Sequence, residues 1–194
     1  GIGRAIADLF VEEGAHVSLC ARDGAQVKAA VQALQGKGVK AFGQALDVAD
    51  GAALQQFVVN SAEHMGRLDG VVANTSALSS GSGVEDFTAA FEVDLLHTRN
   101  LAEAALPLLE KTGAGSIVAI SSISGIEDYG YGSVSYGTMK AALIHYTQGL
   151  AYQLAAKGIR ANTVSPGNTY FPGGVWEQIE QGDPALFAHA LGLN

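Results

Sequence analysis

Two hydrophobic rhythms alternate along the chain. From Gly3 to Glu13 apolar residues recur at helical spacing, with Ile6, Leu9 and Phe10 on one face; His16 to Ala21 is then a short apolar run of the kind that forms a buried strand. The exchange repeats. Asp23 can cap a helix reaching about Gln35, and Val39 to Leu46 reads as a second strand ending at Asp47. Asp50 can cap a helix to about Met65, and Gly70 to Ala73 is a short apolar strand. Val84 to Lys111 reads as one long helix with Pro107 in its last turns, and Ser116 to Ser121 as a strand. Ser135 to Lys157 reads as a helix with Leu143, Tyr146, Leu150 and Leu154 at helical spacing. Arg160 to Val164 is a final strand, which Pro166-Gly167 ends.

Strand and helix in alternation predict an α/β fold, a doubly wound parallel sheet with helices on both faces, in a single domain over residues 1–194. Such sheets bind ligands beyond the carboxyl ends of their strands. The residues placed there are Ala21-Arg22, Asp47-Val48, Asn74-Thr75-Ser76, Ser121-Ser122 and Pro166-Gly167. The chain opens on Gly1-Ile2-Gly3-Arg4, directly into a helix, which is half of a phosphate-binding turn. The other half would precede Gly1, and the chain stops at Asn194 soon after what reads as a lid. The expectation is therefore an internal piece of a longer protein, lacking its first strand and its C-terminal end.

Composition narrows the classes of partner. A hydrophobic fraction of 48% and 25 glycines fit a well-buried core with many tight turns. A net charge of −8 argues against nucleic acid and anionic membranes. The apolar runs are too short to span a bilayer. The charged fraction, 15%, is low for an ordinary surface, which points to subunit contacts. A single cysteine, Cys20, lies inside an apolar run; it excludes an internal disulfide and fits a reducing, cytoplasmic setting.

The stretch Ser135-Tyr136-Gly137-Thr138-Met139-Lys140 carries the candidate chemistry. On a helix, Tyr136 and Lys140 share a face. If that face is buried, the ammonium favours phenolate and pulls the tyrosine pKa below its usual value. The plainer alternative is a solvated surface pair. Likewise, Asp47 alone could be a helix-entry cap, although Asp50 suits that role better. Ser121 reads as a strand-end hydrogen-bonder. His64, His97 and His145 have no partner at metal-ligand spacing and read as surface or packing residues. Tyr129, Tyr131, Phe171 and Trp176 fall in loops beside the site, where they could line an apolar pocket or bury an interface.

Taken in order, these motifs resemble the classical short-chain dehydrogenases/reductases over essentially the whole chain. Gly1-Ile2-Gly3 resembles the tail of their glycine-rich turn, and Tyr136-x-x-x-Lys140 their YxxxK motif. Ser122, fourteen residues before Tyr136, matches their catalytic serine. Asp47-Val48 matches the residues at the adenine, and Pro166-Gly167 the motif after their sixth strand. The resemblance implies a Rossmann-type fold and an oxidoreductase acting on a carbonyl or secondary alcohol, with 3-oxoacyl-carrier reductases closest in overall pattern. It implies Tyr136 as general acid or base, Lys140 lowering its pKa and holding the nicotinamide ribose, and Ser122 on the substrate oxygen. It further implies a homodimer or homotetramer through the helices at 84–111 and 135–157.

The cofactor follows from the end of the second family strand. Family members that prefer NAD carry an acidic residue there; this chain has Ala21 with Arg22 beside it, and an arginine can pair with a 2′-phosphate. NADP(H) is expected in preference to NAD(H), unless Arg22 is merely solvated beside Asp23. The chain departs from the family in three places. The NNAG motif reads Ala73-Asn74-Thr75-Ser76, the catalytic asparagine is matched by Asp94, and the usual threonine after Pro166-Gly167 is displaced to Thr169. Asp94 could hold the family's proton-relaying water, or pair with Lys140 and weaken its hold on Tyr136. Two other readings stand beside the reductase. One is a cofactor-binding protein with little or no catalysis, separated from it by turnover. The other is an extended-type epimerase or dehydratase, which would need a larger C-terminal region.

Overall fold

The computed structural model describes residues 1–79, 81–128 and 133–192. Five strands and eight α-helices alternate in it. Helix α1 (Ile2–Glu12) leads to β1 (Val17–Ala21), α2 (Gly24–Gln35), β2 (Ala41–Ala45), α3 (Gly51–Met65) and β3 (Gly70–Ala73). Then come α4 (Val84–Ala90), a π-helical turn (Phe91–Leu96), α5 (His97–Glu110) and β4 (Ser116–Ile120). A 3-10 turn (Ile123–Gly125) precedes α6 (Val134–Leu154), a further 3-10 turn (Ala155–Lys157), β5 (Arg160–Val164), α7 (Val175–Gly182) and α8 (Pro184–Gly192).

All strand pairs are parallel, as alternation with helices requires. They form two sheets rather than the one expected: β1 pairs β2, and β3, β4 and β5 form a second sheet with β4 in the centre. Alternation along a sequence predicts parallel pairing but not which strands become neighbours. Val17 lies opposite Ala41, Gly70 opposite Ser116, and Ser116 opposite Arg160, so the strands end nearly level. That levelling places Arg22 and Asp47 just past the ends of β1 and β2, and Asn74, Ser122 and Pro166 along the rim of the second sheet.

The helix starts follow local chemistry. Asp23 accepts the Ala25 and Gln26 N–H groups, and Asp50 accepts those of Ala52 and Ala53. Gly66 ends α3 in the left-handed conformation, at φ 88°. The main core lies between α3, α5, α6 and the β3–β4–β5 sheet. It contains Leu54, Phe57, Leu101, Leu109, Ile117, Leu150 and Leu154.

Three expectations need correction. In α1 the buried residues are Ala7 and Val11, whereas Leu9 is 60% and Phe10 46% exposed. Apolar residues cover most of this helix outside the stripe of Arg4, Asp8 and Glu12, so periodicity leaves open which part of that wide face is buried. Small residues win because Leu34 of α2 and Ala41 of β2 fill the space there. The helix read over 84–111 is three segments, because a π-helical turn inserts at Phe91–Leu96. Hydrophobic spacing runs through that turn; the local signal was an aspartate, Asp94, inside an apolar stripe. Finally, Trp176 belongs to α7 rather than to a loop. It packs on Phe187 of α8 at 6.3 Å between centroids, and Tyr170 meets the same ring at 6.1 Å. Tyr129 and Tyr131 lie outside the described residues.

Candidate active site

Helix α6 begins at Ser133, whose hydroxyl accepts the Tyr136 N–H at 3.5 Å and donates to Gly81 O at 3.0 Å. Ser135 is fully buried and donates to the same carbonyl at 2.8 Å. These two serines pin the loop after β3 to the first turn of α6. One turn further on, the Lys140 side chain runs inward and is 2% exposed. Its ammonium donates to Ile120 O at 3.0 Å and lies 3.0 Å from Asp94 Oδ1. It stands 5.4 Å from the centre of the Tyr136 ring. Lys140 is therefore buried and Tyr136 half-buried above it, rather than both being solvated.

Ser121 is a strand-end hydrogen-bonder, as the sequence predicts, and Ser122 makes different contacts. Ser121 is buried and donates to the Lys140 carbonyl at 2.8 Å, which ties the end of β4 to α6. Ser122 caps the 3-10 turn, accepts the Ser124 N–H at 3.2 Å and sits beside the Tyr136 phenol. The close approach of the turn to the helix depends on two glycines that sequence reasoning passed over. A Cβ on Gly125 would lie 2.7 Å from the Lys140 carbonyl carbon, and one on Gly137 would lie 2.8 Å from Ser124 O. Both contacts are with backbone, which cannot rotate away. For Gly137 the signal was its place inside the YxxxK spacing.

The electrostatics differ from the expectation that Lys140 lowers the Tyr136 pKa. The phenol is held above its usual value, first by burial, with the Ser122 hydroxyl opposing and the Asp94 charge adding to the rise. Burial sets the direction, and the lysine charge that would oppose it is itself met by Asp94. Asp94 is fully buried on the π-helical turn, and its Oδ2 accepts the Ala77 N–H at 3.2 Å. His97, one turn on, is also buried, and burial depresses its pKa to about 4 against a donated hydrogen bond to Val93 O. It is a packing residue, and His64 likewise packs on Phe42 at 5.1 Å. Burial pushes the Cys20 thiol up to about 11, so it is inert.

A second group of predicted residues meets at the start of α1. Gly1 caps the helix, its carbonyl accepting the Arg4 and Ala5 N–H groups. A Cβ on Gly1 would lie 2.9 Å from the Phe171 ring, and one on Gly3 would lie 2.6 Å from Asn74 Nδ2. The turn Gly1-Ile2-Gly3 is thus closed in by the end of β3 on one side and the segment after Pro166-Gly167 on the other. Pro166 O accepts the Ile123 N–H at 3.0 Å, joining that segment to the turn after Ser122. Thr169 is exposed, its hydroxyl donating to Gly167 O at 3.2 Å. Arg22 and Asp47 are exposed, just past the ends of β1 and β2. Asp47 accepts the Ala49 N–H at 3.0 Å, while the Val48 side chain lies in the core. Beyond Gly167 a cleft of about 480 Å³ opens between Tyr170, Trp176, Glu180 and Phe187.

A glycine turn at a helix start, a row of strand ends and an exposed arginine suit a dinucleotide, whose phosphates need close backbone approach. Among the described residues, no group of His, Cys, Asp and Glu could hold a metal ion, and no helix is long and apolar enough to cross a membrane. The family model for short chain dehydrogenases matches residues 1–180. An isoepoxydon dehydrogenase of Penicillium expansum is 36% identical over 187 residues, 95% of this chain and 72% of that protein. The structure of NAD+-bound xylitol dehydrogenase superposes with a TM-score of 0.89 at 26% identity, covering 98% of this chain and 79% of that one. L-sorbose reductase from Gluconobacter frateurii, solved with NADPH and L-sorbose, gives 0.87 at 28% identity, covering 98% and 75%. The chain belongs to the short-chain dehydrogenase/reductase family of oxidoreductases.

Proposed function

We propose that the protein moves hydride between a nicotinamide dinucleotide, NADP(H) in preference to NAD(H), and a small carbonyl or secondary alcohol, with Tyr136 giving or taking the proton. The observation that carries this reading is the convergence of Ser122, Tyr136 and Lys140, from a strand end and a helix, at one point of the rim. The dinucleotide, when bound, supplies the hydride. The Ser122 hydroxyl orients the substrate oxygen and stabilises charge developing on it. Tyr136, beside the Ser122 hydroxyl, would meet the same oxygen as a general acid in reduction or base in oxidation. Lys140 is placed by Ile120 and Asp94 beneath the tyrosine, where it would hold a ribose hydroxyl.

Gly1, Ile2 and Gly3 would meet the pyrophosphate, Asp47 and Val48 the adenine, Asn74 the adenosine side, and Pro166, Gly167 and Thr169 the carboxamide. Preference for the phosphorylated cofactor rests on Arg22. The carboxylate of Asp23 is taken up by the α2 N–H groups, which leaves the exposed guanidinium beside it available to a 2′-phosphate. The exposed apolar residues Val84, Phe91 and Tyr152, on α4, the π-helical turn and α6, support a homodimer or homotetramer. The lone, inert Cys20 supports a cytoplasmic setting.

The Asp94–Lys140 pair favours one rival, a cofactor-binding protein with little catalysis, because it occupies the lysine. The two separate on turnover. NADPH and NADH oxidation should be followed with a panel of polyol ketones, cyclic enones and 3-oxoacyl thioesters, beside Tyr136→Phe. NADPH-dependent turnover that Tyr136→Phe abolishes supports the reductase; tight NADPH binding without turnover on the panel supports the binder.

A further inference from the structure

The two oxygens of Asp94 are set to different tasks. Oδ2 accepts the Ala77 N–H at 3.2 Å, on the loop that Ser133 and Ser135 pin through Gly81. Oδ1 lies 3.0 Å from Lys140 Nζ, in an ion pair whose side chains are 0% and 2% exposed. That approach is not aligned as a hydrogen bond, so among the described residues Oδ1 has no aligned donor and is answered by charge alone. The aligned bond of the ammonium goes to Ile120 O. Attraction between bare charges is strong where water is excluded. The ammonium is thus held by a carboxylate and a carbonyl, and the Tyr136 ring centre is 5.4 Å away.

We propose that Asp94 is a positioning residue: it clamps the Lys140 ammonium against the Ile120 carbonyl, offsets its charge, and so keeps the Tyr136 phenol in its proton-donating form. This rests on the reading of Tyr136 as the proton-transfer group. The direction found for the phenol agrees, since burial and Asp94 both hold it protonated, against Ser122. The other groups around the pair carry little countervailing charge. From α5, His97 is buried and neutral near pH 7. From α4, Glu85 is exposed, and Asp86 accepts the Gly83 N–H. The 3-10 turn and β4 bring no ionisable side chain, and Glu127 and Asp128 beyond the turn are exposed. Arg160 of β5 and His145 of α6 itself are also exposed.

The test needs neither substrate nor cofactor. Tyrosinate absorbance of the whole protein is titrated with alkali, and the trace of Tyr136→Phe is subtracted to isolate Tyr136. The same difference is taken in an Asp94→Asn background, where the side-chain carbonyl can still accept the Ala77 N–H. The expected result is a Tyr136 midpoint shifted to lower pH in Asp94→Asn, which a purely structural role would not produce. An unchanged or higher midpoint overturns the inference. If Asp94→Asn does not fold, the unmodified enzyme decides. Its kcat/KM for reduction should hold level to about pH 9, near the ordinary tyrosine range; a fall centred near neutrality overturns the inference. Loss of turnover with the downward shift intact would break the hydride-transfer reading and leave the charge relation standing.

Discussion

The Cβ position of Gly137 lies 2.8 Å from the carbonyl oxygen of Ser124. This approach, with its counterpart between Gly125 and the Lys140 backbone, sets how close Ser122 comes to Tyr136. Gly137→Ala must push the 3-10 turn off the helix. We expect a loss of about 1–3 kcal/mol of stability, as overpacking produces. A fall of roughly tenfold or more in kcat/KM should accompany it, because misplacement of a reacting group is costly. Denaturant unfolding and steady-state kinetics check both.

Arg22 stands exposed at the end of β1 while Asp23 is committed to the α2 cap. Arg22→Ala should weaken NADPH by about tenfold or more, the value of a charge-assisted hydrogen bond, and leave NADH nearly unchanged. Fluorescence titration with both cofactors measures the ratio. Equal loss for both would move the arginine to a general electrostatic role.

His97 makes stability depend on pH. It titrates near 4 in the folded chain, below its ordinary value of 6.5, because burial disfavours the charged ring. Between those values the unfolded chain binds the extra proton, so stability rises with pH there. The contribution is complete above pH 6.5 and is lost as pH falls toward 4. It amounts to about 3 kcal/mol at most. Urea unfolding of the parent and His97→Gln across that window should show a steeper loss in the parent.

Asp50 holds the first turn of α3 through the Ala52 and Ala53 N–H groups. Asp50→Ala should cost about 1 kcal/mol, or roughly 2–4 °C in Tm for a chain of this size. Cofactor affinity should not change, since no candidate binding residue lies on that helix.

The parts of the fold legible in the sequence were those that periodicity and capping control. Asp23 and Asp50 start their helices, Leu143, Leu150 and Leu154 face the core, and the strands fall within a residue or two of their expected limits. The π-helical turn was not legible, because an inserted residue leaves the apolar rhythm on both sides intact. The buried face of α1 was not either, since its apolar side is wide and only the fit against Leu34 and Ala41 selects Ala7 and Val11. At the site, the spacing of Ser122, Tyr136 and Lys140 foretold that the three side chains meet. The direction of the Tyr136 shift did not follow from that spacing, because it depends first on burial and then on Asp94, forty-six residues from Lys140, and both are met only in three dimensions.

The central claim is hydride transfer at this site, and isotope transfer tests it most directly. NADPH carrying deuterium at the transferable C4 position would be incubated with the protein and a reducible ketone from the panel, and the alcohol analysed by mass spectrometry. The account predicts one deuterium on the carbinol carbon with the parent protein and none with Tyr136→Phe. Alcohol formed without deuterium, or label transferred equally by both proteins, would contradict it.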